Sequence, residues 1–158
     1  MLKKGSISDL RSGAVSRETS YIVVAMQHYP RGVSKKLIDE YIHSLAPSRE
    51  LLDDFHAAKE RLQGNHNAAF QTVKYEQRFS LSAEAIAHLR RLAKMSATKD
   101  VTILCQCASD QRCHRELLLL VAKKWYGAKT ELRKFSYPEF ERRIPDSERP
   151  IEGDNARS

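Results

Sequence analysis

Short apolar runs separated by longer stretches of helical period set the architecture that this chain predicts. YIVVAM at 21–26 and VTILC at 101–105 are β-branched and almost wholly apolar, the mark of strands covered on both faces. A third short strand is expected over 3–10 and a fourth over 130–135. Between them the period changes. Ser34 caps a helix to about residue 45, with Leu37, Tyr41 and Leu45 on one face, and Pro47 stops it. Ser48 opens the next helix, in which Leu51, Phe55, Ala58 and Leu62 share a face. Gly64-Asn65-His66-Asn67 breaks that run, and 68–79 forms a weaker helical stretch carrying Phe70, Val73 and Tyr75. Ser82 caps a helix with Ile86, Leu89, Leu92 and Ala93 facing inward. The stretch 116–125 is apolar on most sides and predicts a buried helix.

Apolar strands alternating with helices give a single α/β domain over 1–144, a largely parallel sheet flanked by helices in a Rossmann-like three-layer arrangement. The polar, proline-containing segment 145–158 is expected to be a frayed tail. In such sheets ligands bind beyond the carboxyl ends of the strands. Two loops take that position here, 28–34 and 105–115, so the chemistry is expected where they meet.

The second loop opens CQCASDQRCHRELLLL and holds all three cysteines of the chain. If a helix starts near Cys113, His114 and Arg115 fall in its first turn, where positive charge opposes the helix dipole. Such an arginine suits an anion, which a helix N-terminus and a guanidinium bind together. Arg31, beside Gly32 in the other loop, supplies a second fork across the cleft. The plainer alternative is that Arg115 bridges to Asp110 and orders the loop. Cys113 gains from the same placement, because a thiol beside cations at a helix N-terminus ionises more easily. His114 is its candidate base. Against this stands a small cysteine packed under the leucine helix. Tyr29, Cys105, Cys107 and Asp110 line the expected cleft. His28, just beyond the first strand, is a further candidate to line the cleft, whereas His43, His56, His66 and His88 lack partners at ligand spacing and read as surface residues.

Cys105, Cys107, Cys113 and His114 are also a possible zinc or iron set. The spacing C-x-C-x5-C-H argues against it, since neighbouring residues on a helix point apart. No cofactor is therefore expected. Dinucleotide, Walker and serine-hydrolase motifs are absent from the sequence.

The stretches YPRGVSKKLIDEYIHSLAPSRELLDDFH and CQCASDQRCHRELLL resemble the domain-of-unknown-function family 488. The first is similar to that family's strand-exit loop and following helices, the second to its pattern of a cysteine, seven residues and Cys-His-Arg. The resemblance implies a single, soluble, prokaryotic α/β domain over about 5–140, and no particular reaction.

Length and charge complete the expectation. A chain of 158 residues buries a sizeable core without disulfides. MLKKGSISDLRS has no signal-like stretch, and no apolar run approaches membrane length, so a cytoplasmic protein with reduced thiols and no membrane partner is expected. The net charge of +7 admits nucleic acid, but the basic residues are spread and interleaved with acids. Two readings remain open. One is an enzyme with an activated Cys113 acting on an anionic, phosphorylated or nucleotide-like small molecule. The other is a binding module for nucleic acid or a phospho-ligand. Oligomeric state is not legible.

Overall fold

The computed structural model describes residues 1–154. Its centre is a four-stranded, all-parallel sheet built from β1 (Leu2–Ser6), β2 (Tyr21–Val24), β3 (Glu40–Tyr41) and β4 (Val101–Cys105) in the order β1-β4-β2-β3. Leu2 pairs Val101 and Ser6 pairs Cys105, while Tyr21 and Val24 pair Val101 and Leu104 on the other side. β4 is therefore interior, and all five of its residues are buried, as an unbroken apolar run requires.

The two faces carry unequal layers. Leu2, Val23, Val101 and Ile103 meet the larger core, built from α2 (Arg49–Arg61), α3 (His66–Thr72), α4 (Tyr75–Arg78), α5 (Ala83–Met95), α6 (His114–Tyr126) and α7 (Pro138–Arg143). Ile22, Val24 and Leu104 meet a smaller cluster with Val33, Ile38 and the Ile7 and Leu10 of α1 (Ile7–Ser12). The single α/β layer architecture with flanking helices stands as expected from the sequence.

Several elements differ from their sequence expectation, each for a local reason. The strand expected over 3–10 ends at Ser6, where a reciprocal capping box with Asp9 starts α1. The helix expected over 34–45 does not form. Two 3-10 turns, Lys35–Leu37 and His43–Leu45, flank β3 instead. The exposed edge of β2 captures the chain: Asp39 N–H donates to the Ile22 carbonyl, Ile22 N–H to the Asp39 carboxylate, and Ile42 N–H to the Val24 carbonyl. Leu37 and Tyr41, expected inside, are exposed. The stretch 68–79 splits at Lys74, whose φ of 56° lies in the left-handed region, leaving α3 and α4. Residues 130–135 supply only a bridge from Thr130 to Leu2, and Leu132 is fully solvated. α7, opened by Pro138 at its first position, had no sequence expectation.

The segment expected to fray from 145 lies along the body as far as 154. Trp125 Nε1–H donates to the Pro145 carbonyl, Ile151 forms an antiparallel bridge with Leu81, and Asp154 N–H reaches the Gln77 carbonyl. Ile151 is buried, and removing its side chain from water contributes about 2 kcal/mol, enough to hold a short polar strap. Residues 155–158 of that expectation lie outside the described residues. Among the described residues no helix is long and apolar enough to cross a membrane.

Candidate active site

Because β2 and β4 are parallel neighbours, their carboxyl ends open on the same edge, and the cysteine loop lies beside the residues that follow Val24. Cys105 is the last residue of β4, and Cys113 is the N-cap of α6. The backbone of Cys113 is extended, with φ −157° and ψ 154°, so its side chain turns back over the helix start. Cys113 Sγ consequently lies 3.1 Å from Cys105 Sγ and 3.4 Å from His114 Nδ1. The expectation that Cys113 and His114 diverge is thus corrected. Adjacent side chains diverge within a helix, but Cys113 precedes the first helical residue.

His114 Nε2 is 2.8 Å from the Ala25 carbonyl. A carbonyl only accepts, so Nε2 carries the proton, and Nδ1 turns its lone pair toward the Cys113 sulfur. Arg115 donates from Nε to Cys113 Sγ at 3.3 Å. Its other nitrogens go to backbone carbonyls, Nη1 to Gly5 and Nη2 to Ala108 at 3.2 Å. Arg115 is fully buried. It offers no fork to an anion arriving from solvent, and its partners are main chain and thiol rather than Asp110, which is exposed. The buried guanidinium needs a counter-charge, and the Cys113 sulfur is the group it faces.

Ionisation follows that geometry. Burial opposes a charge on Cys113, but the Cys105 thiol beside it and the Arg115 guanidinium that donates to it hold it well below the ordinary thiol value. Burial pushes Cys105 up to about 12. The neighbouring thiols and burial push Cys107 well above the ordinary thiol value. Of the three thiols, Cys113 is the one whose ionisation its surroundings favour.

A buried network fixes the helix start. Cys113 N–H donates to the Tyr137 hydroxyl at 3.3 Å, and that hydroxyl donates to Glu116 Oε1 at 2.6 Å. Glu116, fully buried, is paired with Lys4 Nζ at 3.1 Å and accepts from Lys134 N–H at 2.9 Å. The acid at the helix N-terminus is thus satisfied on both oxygens.

Above the sulfurs lies a cleft of about 210 Å³, walled by Met26, Phe55, Phe70 and Tyr75 and floored by Cys105, Cys107, Cys113 and His114. Tyr29, Arg31 and Gly32 are not among its walls. Tyr29 packs edge-on to Tyr41, 5.4 Å between centroids, and against the smaller core. Arg31 is exposed, and Gly32, at φ 73°, makes the turn beside it. The structure therefore brings together the cysteines, His114 and Arg115 and leaves the first loop's arginine apart.

Among the cleft residues to which the sequence does not point are Arg112 and His66. Arg112 lines the cleft, lies over the Phe135 and Tyr137 rings at 4.8 and 5.4 Å, and donates from Nη1 to the Ser136 carbonyl. His66, read as a surface residue, is buried; its Nε2–H donates to the Arg112 carbonyl at 2.7 Å, and burial lowers its pKa. The Asn65 side chain that caps α3 was the local signal for its placement.

The model of DUF488-N3a, described as the active DUF488-N3 subclade, matches residues 6–125. That span runs from the end of β1 almost through α6 and includes the whole cysteine loop. No curated protein and no solved structure matches the chain. With about three quarters of its length matched, the chain belongs to the DUF488 family.

Proposed function

We propose that the protein is an enzyme with an activated Cys113 thiolate, acting on a small phosphorylated or nucleotide-like molecule. The observation that carries this reading is the position of Cys113 Sγ. It is a buried sulfur on the floor of a cleft, at a helix N-terminus, receiving Arg115 Nε–H and facing the unprotonated His114 nitrogen. A packed structural cysteine has no use for a buried cation. A thiolate held by fixed donors is a prepared nucleophile.

The cleft also suits one end of the substrate. Its aromatic and thioether walls favour a flat, carbon-rich body such as a heterocycle. An anionic group on that body meets Arg112 at the cleft, since Arg31 lies elsewhere and Arg115 is closed off. His114 accepts or returns a proton at Nδ1 while Ala25 holds its tautomer.

Alkylation by iodoacetamide across pH, read by mass spectrometry on metal-stripped protein, tests the reading. Cys113 is expected to react with a midpoint well below the roughly 8.5 of a free thiol. Small nucleotide-like phosphates are expected to slow that reaction by filling the cleft. A Cys113 that reacts no faster than free cysteine at any pH removes the nucleophile and returns the cleft to a binding module for a phospho-ligand or nucleic acid.

A further inference from the structure

We infer that the same cluster is a binding site for one soft divalent cation of the zinc type, held by Cys105 Sγ, Cys113 Sγ and His114 Nδ1 and closed by Cys107, and that the ion caps the nucleophile in a resting form. The inference rests on the thiol reading only in its second half; the site itself rests on ligand geometry. One ligand atom from each of Cys105, Cys113 and His114 lies within 4.8 Å of the other two, and all three residues are buried. A tetrahedral ion with metal–sulfur bonds of about 2.3 Å and a metal–nitrogen bond of about 2.0 Å sets sulfurs about 3.8 Å apart, and sulfur and nitrogen about 3.5 Å apart. The Cys113–His114 edge, 3.4 Å, is already at that length. The Cys105–Cys113 edge, 3.1 Å, opens by about 0.7 Å, within small side-chain rotations.

Three further observations belong to a metal site's surroundings. His114 gives its outer nitrogen's proton to the Ala25 carbonyl, the contact that orients a metal-bound imidazole and leaves Nδ1 free to coordinate. Cys107 N–H points to Cys105 Sγ at 3.4 Å, and Arg115 Nε–H to Cys113 Sγ, so each sulfur has a donor that stabilises thiolate charge. Cys107 is half-buried on the cleft floor, two residues after Cys105, to whose sulfur its N–H points.

Charge selects the fourth ligand. Two thiolates neutralise a divalent ion, and the buried Arg115 then leaves one positive charge without a partner. A third thiolate, from Cys107, closes the balance at zero, which a buried site requires. Binding releases the thiol protons of the cluster and forms three metal–sulfur bonds and one metal–nitrogen bond, with no change of oxidation state. While the ion is held, Cys113 shares its charge and one lone pair with it, and attack by the sulfur is slowed.

The test titrates zinc chloride into reduced, metal-free protein against a chromophoric chelator, and cobalt(II) into a parallel sample. One equivalent of zinc, a cobalt spectrum with thiolate charge-transfer bands and intense tetrahedral bands, and Cys113 alkylation slowed at least tenfold by zinc are expected. His114→Ala is expected to weaken zinc at least tenfold. His43→Ala, an exposed residue away from the cluster, is expected to leave it unchanged. Zinc that fails to bind, or wild-type cobalt spectra lacking the thiolate bands, overturns the site without any variant having to fold. In that event rapid alkylation of Cys113 still upholds the enzyme reading. Tight zinc binding with a sluggish metal-free Cys113 keeps the site and removes the nucleophile.

Discussion

Replacing Arg115 by methionine keeps an unbranched side chain as far as the position of Nε while deleting a charge and every guanidinium donor. Two separate consequences follow. The carbonyls of Gly5 and Ala108 lose their donor, and a buried unsatisfied acceptor costs about 1–3 kcal/mol. Part of that loss is offset because a guanidinium no longer has to be buried. A net destabilisation of about 2 kcal/mol is expected, read as a lower urea midpoint at unchanged slope. The second consequence concerns the thiol. A unit charge 3.3 Å from Cys113 Sγ, at an effective dielectric of about 20, is worth about 5 kcal/mol to the thiolate, or nearly four pKa units. If three quarters of that is recovered by rearrangement of Cys105, Cys107 and His114, the alkylation midpoint of Cys113 still rises by about one unit. The assay is the pH dependence of alkylation by mass spectrometry, with circular dichroism confirming that the variant is folded. A folded Arg115→Met protein with an unmoved midpoint refutes the assignment of Arg115 as the charge that holds the thiolate. Arg115→Lys, which restores charge without the fork, is expected to recover part of the midpoint and little of the stability.

Other outcomes follow from contacts already described. Tyr137→Phe leaves Glu116 Oε1 and the Cys113 N–H without their shared hydroxyl, and about 2 kcal/mol of stability is expected to be lost in urea unfolding. Glu40 is held below the usual carboxylate range: burial opposes this, but hydrogen bonds from Arg91 and Tyr21 outweigh it. A depressed carboxylate contributes stability that is present above its unfolded value, near 4.3, and lost as pH falls through its folded value. Glu40→Gln is therefore expected to lower stability at pH 7 by no more than about 1 kcal/mol, the pair being partly exposed, and to flatten the acid limb below about 4.3; an unchanged acid limb refutes it. Ile151→Ala is expected to cost about 2 kcal/mol and to expose the strap at 145–154 to proteolysis before the rest of the chain. Equal protection of that strap in the variant counts against its docking through Ile151.

What the sequence disclosed follows the strength of each local signal. Val101–Cys105 and the run at 21–26 are unmistakable because an interior strand has no polar positions to blur the pattern. The Ser82-capped helix and the Ser48-capped helix declare both their start and their buried face. The segment 34–45 misleads because its apolar spacing fits a helix, while the decisive partners, the free backbone groups of β2, lie outside the segment. Arg31 was placed in the cleft on sequence proximity to a strand end, but the chain turns at Gly32 toward the smaller core and takes the arginine with it. His66 and Arg112 became visible only when α3 packed against the cysteine loop. Arg115 was read as a ligand-binding group because nothing local shows that its donors are spent on Gly5, far away in the sequence.

If Cys113 is the nucleophile proposed above, that last contact makes its reactivity a report on chain closure. Arg115 and Gly5 stand 110 positions apart, and the carbonyl that orients the guanidinium sits on the edge strand of the sheet, next to β4. Pairing across so long an interval belongs to the slow part of folding, because the loop must close before any contact is gained. A chain whose helices and central strands have assembled, but whose first strand is still free, holds Cys113 beside a guanidinium with nothing to aim it. The thiol is then an ordinary one. On the proposed reading, activation of the thiol waits on that long-range pairing, and a molecule without it lacks the aimed donor that favours the thiolate.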